Sequence, residues 1–422
     1  MASMRTFAVQ AHSRRVAALA VEIACRAGAR PADLPVVEHA ACIHHHPSEL
    51  MDERTVDCLL TGLLGPDWSG SKRSDAAFRR HTSDVLAVLR MFHSASLWDR
   101  EERLALLADA LTTANLFAEE LESPVSGENA RERLVRNVSV RAENGLCRPA
   151  IARALVALPR MNESEMRAML SRLPVFPAVV FQVLAMTADE DVTFRQLEKL
   201  LSSDQVLAGR LVAIANSCLY SPRAPIATIR QAISYIGLDA TRRVAIAAVL
   251  QPLFASSNLR NLWQHSLEAA RRCEYMAAAV GGIHPDEAFL AGLVHDVGRL
   301  AIWGMPAEAV TVYARLLEQG CEPALAEMFL FGFDHGELGA EILRLWNFPR
   351  HMLAAVGLHH QPERSASPLA GLLHLAELEI APAEAPPSTL RAQAARERAG
   401  ACAAPPAAED REMELLAMVS AA

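Results

Sequence analysis

Apolar residues recur every three or four positions through nearly the whole chain, and no stretch alternates apolar and polar residues as a half-buried strand does. Val16, Leu19, Ala20 and Ile23 mark one helical face near the start. Leu207, Leu211 and Ile214 mark a second, and Ile229, Ile233 and Ile236 a third. Ser202-Ser203-Asp204-Gln205 precedes the second face with a capping-box pattern, in which a serine hydroxyl accepts from free first-turn amides while the glutamine reaches back. Asn216 and Ser217 close that helix. Gly237 falls where a left-handed helix cap is expected, and Asp239 can start another helix at once. The longest apolar run, 244–255, is interrupted by Gln251 and Pro252, falls far short of a bilayer span, and reads as a buried helix. Short helices joined by short turns predict an all-α fold, a compact orthogonal bundle rather than a coiled coil.

Breaks in composition divide the chain. A Ser/Pro/Gly stretch at 123–128 ends one helical block, a second break starts at Arg148-Pro149 and reaches Pro159, and from Ala381 onward Ala, Pro and Glu take over. They predict a helical domain over 1–147, a linker over 148–165, a second helical domain over 166–380 and a flexible tail over 381–422. Within that tail, 409–419 is amphipathic enough to dock as a helix.

Composition narrows the chemistry. Of 422 residues 51% are hydrophobic and 21% charged, so most of the chain should fold; aromatics are only 5%, which favours tightly packed helices. A formal charge of −8 argues against a general polyanion-binding surface, so DNA is not an expected partner. Eight scattered cysteines without a C-x-x-C pair indicate neither a disulfide framework nor a cysteine zinc site, a usage that suits a reducing cytoplasm. No membrane span or signal peptide is expected. Phosphate-binding glycine loops and the G-x-S-x-G elbow are absent from the sequence.

Histidines gather in the second domain. His265 lies in Trp263-Gln264-His265-Ser266, and His295-Asp296 follows 30 residues later in Gly292-Leu293-Val294-His295-Asp296-Val297-Gly298. Asp334-His335-Gly336-Glu337, His359-His360 and Leu375-Ala376-Glu377 complete the series. A divalent ion bound by nitrogen and oxygen needs such groups brought together from several helices, and an ion so held activates water and polarises a phosphoryl oxygen. Each histidine taken alone fits a buried hydrogen-bonding group or a helix cap better than a ligand. His295-Asp296 also fits a helix end before Gly298, and His335 the start of a helix in which Gly339 allows close packing.

Leu173-Pro174-x-x-Pro177, Ser203-Asp204 with Leu207, Ala215-Asn216-Ser217, Gln231-Ala232-Ile233 with Ile236-Gly237, and His295-Asp296-x-Gly298 together resemble the HDOD domain, the regulatory relative of HD-type metal phosphohydrolases. The resemblance spans about 166–380 and implies a multi-helix bundle with a role in bacterial signalling, without implying catalysis. The HD phosphohydrolase pattern of His, His-Asp and a late Asp lands on His265, His295 with Asp296, and Glu377, where Glu replaces Asp. These are the candidate ligands of a divalent ion such as Mg, Mn, Fe or Zn. The related HD-GYP phosphodiesterases add histidines, for which His335, His359 and His360 are candidates as second-metal or phosphate contacts. His360 is followed by Gln361-Pro362-Glu363-Arg364 with no Gly-Tyr-Pro, which argues against cyclic di-GMP cleavage in the HD-GYP manner.

The first domain resembles a worn HD-like half. His12-Ser13 opens a helix, His44 follows 32 residues later, His45 stands where Asp296 stands in the second domain, and Asp109 in Leu107-Ala108-Asp109 offers the late acid. His44-His45-His46 could bind zinc or nickel weakly, but consecutive side chains on a helix point apart, so a solvated helix end capped by Pro47 is the plainer reading. His81 and His93 read as surface or packing residues, and the Arg242-Arg243 and Arg271-Arg272 pairs need no function.

The functional expectation is a non-catalytic bacterial signal-transduction protein in which the HDOD domain is an interaction or sensing module for a protein partner. The alternative is a metal-dependent HD-type phosphohydrolase acting on a nucleotide or cyclic nucleotide, and a sensor that binds a nucleotide without hydrolysing it is a third reading.

Overall fold

The computed structural model describes residues 2–46, 51–64, 76–93, 102–122, 130–158, 163–173, 176–187, 194–217, 222–254, 259–280 and 282–380. The break at 123–128, Pro47, Pro159, Pro174 and the 381–422 tail with its 409–419 segment lie outside them. Every element among the described residues is helical, as the periodicity requires, and no described helix is long and apolar enough to cross a membrane.

Two compact units emerge, and they group residues differently from the breaks in composition. The first takes 1–163 together with 306–334; the described residues of the second lie in 164–305 and 335–380. Part of the 148–165 segment, read as a linker, is the helix Pro149–Val156, with Ile151, Ala154 and Leu155 buried in the first unit. The helices Ala307–Glu318 and Pro323–Phe331, which sequence alone places in the second domain, belong to the first unit. Phe329 meets Phe117 edge-on at 5.6 Å, Arg131 donates to the Leu330 carbonyl at 2.9 Å, and Arg15 pairs with Glu322 at 2.6 Å. These contacts are non-local, so composition carries no trace of them.

In the first unit the helix Ala2–Arg26 packs against Leu34–Ile43 and Glu102–Glu122. Val16, Leu19, Ala20 and Ile23 are all buried on its inner side, and Val37, Ala40, Leu107, Leu111 and Ala114 face them from within the same core. The alanines shorten the interhelical distance that the leucines then fill.

In the second unit, local signals decide the helix ends. The expected serine capping box does not form. Asp204 is the cap of Gln205–Ala215, its carboxylate accepting from the amides of Val206 and Leu207, while the Ser203 hydroxyl turns back to donate to the Leu200 carbonyl. An ionised acceptor is the stronger partner for first-turn amides. The capping box is instead Thr228 with Gln231, opening Ile229–Ile236. Gly237 ends that helix at φ 92°, the region expected of it, though its ψ of 157° is extended rather than left-handed helical, and Leu238–Leu250 follows directly. Asn216, past the end of its helix, donates to the Ile226 carbonyl at 2.7 Å and accepts from the Ile226 amide at 2.8 Å. That exchange holds Ile226 against the end of the helix.

The rest of this unit carries the histidines. The helices Arg260–Val280 and Pro285–Val294 pair closely; Gly298–Trp303, His335–Leu345, Arg350–Gly357 and Pro368–Ile380 complete the bundle. Backbone meets backbone where Gly298 faces the start of the His335 helix. A Cβ there would lie 1.9 Å from the His335 carbonyl oxygen.

Two predictions follow from this packing. Gly298→Ala should destabilise the second unit by about 3 kcal/mol or more, since no side-chain rotation relieves a clash with backbone. Gly209→Ala, in mid-helix with open space around it, should instead stabilise by about 0.5–1 kcal/mol. Thermal unfolding of both variants checks the pair. In the first unit, burial and the neighbouring His81 push the pKa of His39 from 6.5 to about 4. Below pH 6.5 the unfolded chain takes up a proton that the folded chain refuses until about pH 4, so this group's stability contribution is lost as pH falls through that window. His39→Gln should therefore lose less stability than wild type between pH 7 and pH 4, measured by urea midpoints.

Candidate metal centre

His295 and Asp296 stand immediately after the helix Pro285–Val294, where the last-turn carbonyls have no helical partner. The His295 imidazole fills that vacancy by donating from Nδ1 to the Gly292 carbonyl at 2.7 Å. His359, following Arg350–Gly357, does the same to the Val356 carbonyl at 2.6 Å, and its own carbonyl accepts from His374 Nδ1 at 2.8 Å. A proton committed at Nδ1 leaves the Nε2 lone pair as the outward face of each ring. The helix Arg260–Val280 brings His265, the first residue of His335–Leu345 brings His335, and Pro368–Ile380 brings Glu377.

These side chains converge, as spacing alone could not show. The His295 Nε2 lies 3.5 Å from Asp296 Oδ1 and 3.4 Å from Glu377 Oε1. His359 Nε2 is 3.8 Å and His360 Nδ1 3.7 Å from Glu377 Oε2. His335 Nε2 is 2.9 Å from Asp296 Oδ1 and 2.7 Å from His360 Nε2. The extra methylene of Glu377 therefore does not carry its carboxylate away from the cluster. His265 stands beside the set, its Nε2 3.7 Å from Asp296 Oδ2.

Charge is held in place by the cluster itself. Asp296 is fully buried, yet Arg299, His295 and His335 outweigh the cost of burial and keep its carboxyl well below the ordinary range. Arg299 Nη1 sits 3.1 Å from Asp296 Oδ2. Glu377 is likewise held well down against burial by His359 and His360. Burial brings His359 to about 4 and lowers His360 and His265. For His295, burial is outweighed by Asp296 and Glu377, which raise it.

The donors fit a cation. His295 Nε2 and His359 Nε2 are buried with no hydrogen-bond partner. Orphaned buried nitrogens facing two ionised carboxylates make the donor set of a divalent ion. His295, Asp296, His359 and Glu377 offer ligand atoms all within 4.8 Å of one another, and so do His335, His359 and His360. His359 belongs to both groups, which describes two adjoining positions. Arg299 and His374 had no signal in the sequence reading. One is the second residue of Gly298–Trp303, where i+3 spacing reaches back to Asp296; the other sits three residues before Glu377 on its helix.

The first unit departs from expectation in four ways. His12 lies in the middle of Ala2–Arg26 rather than opening it. His44 and His45 do not diverge, because the helix ends at Ile43; their rings stand 4.0 Å apart, and His12 is 4.9 Å from His45. His44 is buried rather than solvated. Asp109 is not the late acid, since its carboxylate accepts from the Arg148 amide at 2.8 Å and faces Arg148 Nη1 at 3.2 Å. Six residues along the same helix, Asn115 takes the place, its Oδ1 3.1 Å from His12 Nε2 and 3.0 Å from His44 Nε2. His44 Nδ1 meets the Ala41 carbonyl at 2.6 Å, as His295 meets Gly292. Burial brings its pKa to about 4. His81 Nε2 lies 2.9 Å from His39 Nδ1, a packing role. The arginine pairs are occupied too, Arg243 and Arg271 both by Glu274.

Over part of its length the chain is similar to known proteins. The HDOD domain profile matches residues 173–362. A ribonuclease Y of Pelobacter propionicus is 24% identical over 188 residues, covering 44% of this chain and 31% of that protein. The cyclic di-GMP phosphodiesterase CdgJ of Vibrio cholerae is 25% identical over 116 residues, 27% of each chain. This chain thus spans about a third or less of the length of these curated relatives. An HDOD domain protein of unknown function from Geobacter sulfurreducens is 26% identical and superposes with a TM-score of 0.47, covering 61% of this chain and 92% of that one. Residues 173–362, which hold all of the second unit's clustered ligands except the flanking Glu377, match the HDOD domain.

Proposed function

We propose that this protein is a signalling component whose HDOD domain holds a divalent-metal centre and hydrolyses a phosphodiester bond in a nucleotide. The observation that carries the reading is the pair of orphaned imidazole nitrogens, on His295 and His359, buried beside the carboxylates of Asp296 and Glu377. Buried imidazole nitrogens at ligand spacing from two ionised carboxylates suit a cation. His295, Asp296, His359 and Glu377 would hold one ion, with His335 and His360 beside them. When bound, such an ion supplies Lewis acidity to a phosphoryl oxygen and to the attacking water. The chain's own part is to keep two carboxylates ionised in a buried place and to fix the imidazole tautomers through the Gly292 and Val356 carbonyls. Two matched relatives are named for the ribonuclease and phosphodiesterase activities, and both names denote phosphodiester chemistry.

A second reading keeps the domain as an interaction or sensing module without turnover. One observation favours it: Arg299 and His335 already compensate the Asp296 charge, so the fold does not need an ion for that carboxylate.

One experiment separates them. Full-length untagged protein is stripped of metal, reloaded with Mn(II) or Fe(II), and assayed with bis(p-nitrophenyl) phosphate and a panel of linear and cyclic nucleotides. The proposal expects metal-dependent release that falls at least about 100-fold in His359→Ala and Asp296→Asn. Stoichiometric metal without turnover on any substrate supports the sensing module, and absence of both metal and turnover contradicts the centre itself.

A further inference from the structure

The first unit gathers three imidazoles around one amide oxygen. His44 Nδ1 faces the Ala41 carbonyl at 2.6 Å, and a carbonyl can only accept, so the ring proton is on Nδ1. The Nε2 of the neutral ring is then an acceptor, yet it faces Asn115 Oδ1 at 3.0 Å, another acceptor. The amide is oriented by its other end. Its nitrogen now donates to Glu119 Oε1 at 2.9 Å, and reversal would put oxygen against that carboxylate. His12 Nε2 meets the same Asn115 oxygen at 3.1 Å, and ligand atoms of His12, His44 and His45 lie within 4.8 Å of one another. A metal ion at their meeting point would take the amide oxygen and one nitrogen of each ring together.

We propose that His12, His44, His45 and Asn115 form a second metal site, distinct in chemistry from the HDOD centre, that takes a borderline transition-metal ion such as zinc. Three imidazole nitrogens and one amide oxygen are the right number for four-coordinate zinc. Bonds of about 2.0–2.1 Å in a tetrahedron set ligand atoms about 3.3 Å apart, close to the separations around Asn115. The Ala41 carbonyl is the outer partner that orients His44, and Glu119 orients the amide. All four ligands are neutral. Imidazole suits zinc, nickel and cobalt, whereas Mg(II) and Mn(II) favour carboxylates, so the site discriminates against the hard ions that Asp296 and Glu377 attract. His45 is exposed at the surface, which gives an ion a way in.

The test is a zinc titration of metal-free full-length protein in competition with a chromophoric chelator, on wild type, His45→Ala and the double variant His44→Ala/His45→Ala. The exposed position of His45 keeps that variant folded, as circular dichroism will show. The proposal expects the affinity of one zinc equivalent to fall at least tenfold in His45→Ala and that equivalent to vanish in the double variant, with Mn(II) stoichiometry unchanged in both. Equal zinc affinity and stoichiometry in wild type and His45→Ala overturn it, and so does an equal loss of Mn(II).

Discussion

A carboxylate with no exposed surface is the constraint around which the second unit is built. Asp296 costs several kcal/mol to bury as an isolated ion, and the fold offsets this by surrounding it with Arg299, His335 and His295. Those partners come from different helices, so their packing and the electrostatics of the cluster are one problem. The bare backbone of Gly298 lets the His335 helix approach the turn that carries Asp296. Without that approach, the 2.9 Å contact from His335 to Asp296 would not form. The helix-end carbonyls of Gly292 and Val356 then use up the Nδ1 protons of His295 and His359 and turn their second nitrogens toward the acids.

The two units repeat one local device with different charge. In each, an imidazole just past a helix end is fixed by the carbonyl three residues earlier, and its Nε2 meets an oxygen from a later helix: Glu377 for His295, Asn115 for His44. In the second unit the converging oxygens belong to carboxylates; in the first, Asn115 supplies a neutral amide and His45 stands in place of the second acid. Substituting amide for acid changes which cations a cluster favours while leaving its scaffold intact. One architecture thus gives two sets of donors, one charged and one neutral.

Helical periodicity shows the class of fold and the presence of most elements, since an amphipathic stripe is a local property. The His-Asp pair, the late Glu377 and the three later histidines are legible as a pattern. Their convergence is not, because it depends on which helices pack together. Asp109 and Asn115 show the limit well. Both lie on one helix and both are plausible third-party ligands by type, but a non-local partner, Arg148, claims the first. Asp204 beside Ser203 shows the same at a helix cap, where two adjacent acceptors compete and the charged one wins. The helices of 306–334 join the first unit through Phe329, Leu330 and Glu322, none of which carries a sequence mark of its partner. Arg299 and His374 escape for another reason: they act on ligands rather than as ligands.

Whether the cluster around Asp296 binds an ion directly is decided most plainly by pulsed electron paramagnetic resonance of the full-length protein loaded with one equivalent of Mn(II). Imidazole ligation gives nitrogen-14 modulation of the manganese signal. The account predicts that modulation in wild type and its loss in Asp296→Asn with His359→Ala. A spectrum of manganese surrounded by water oxygens alone, the same in wild type and variant, would contradict it.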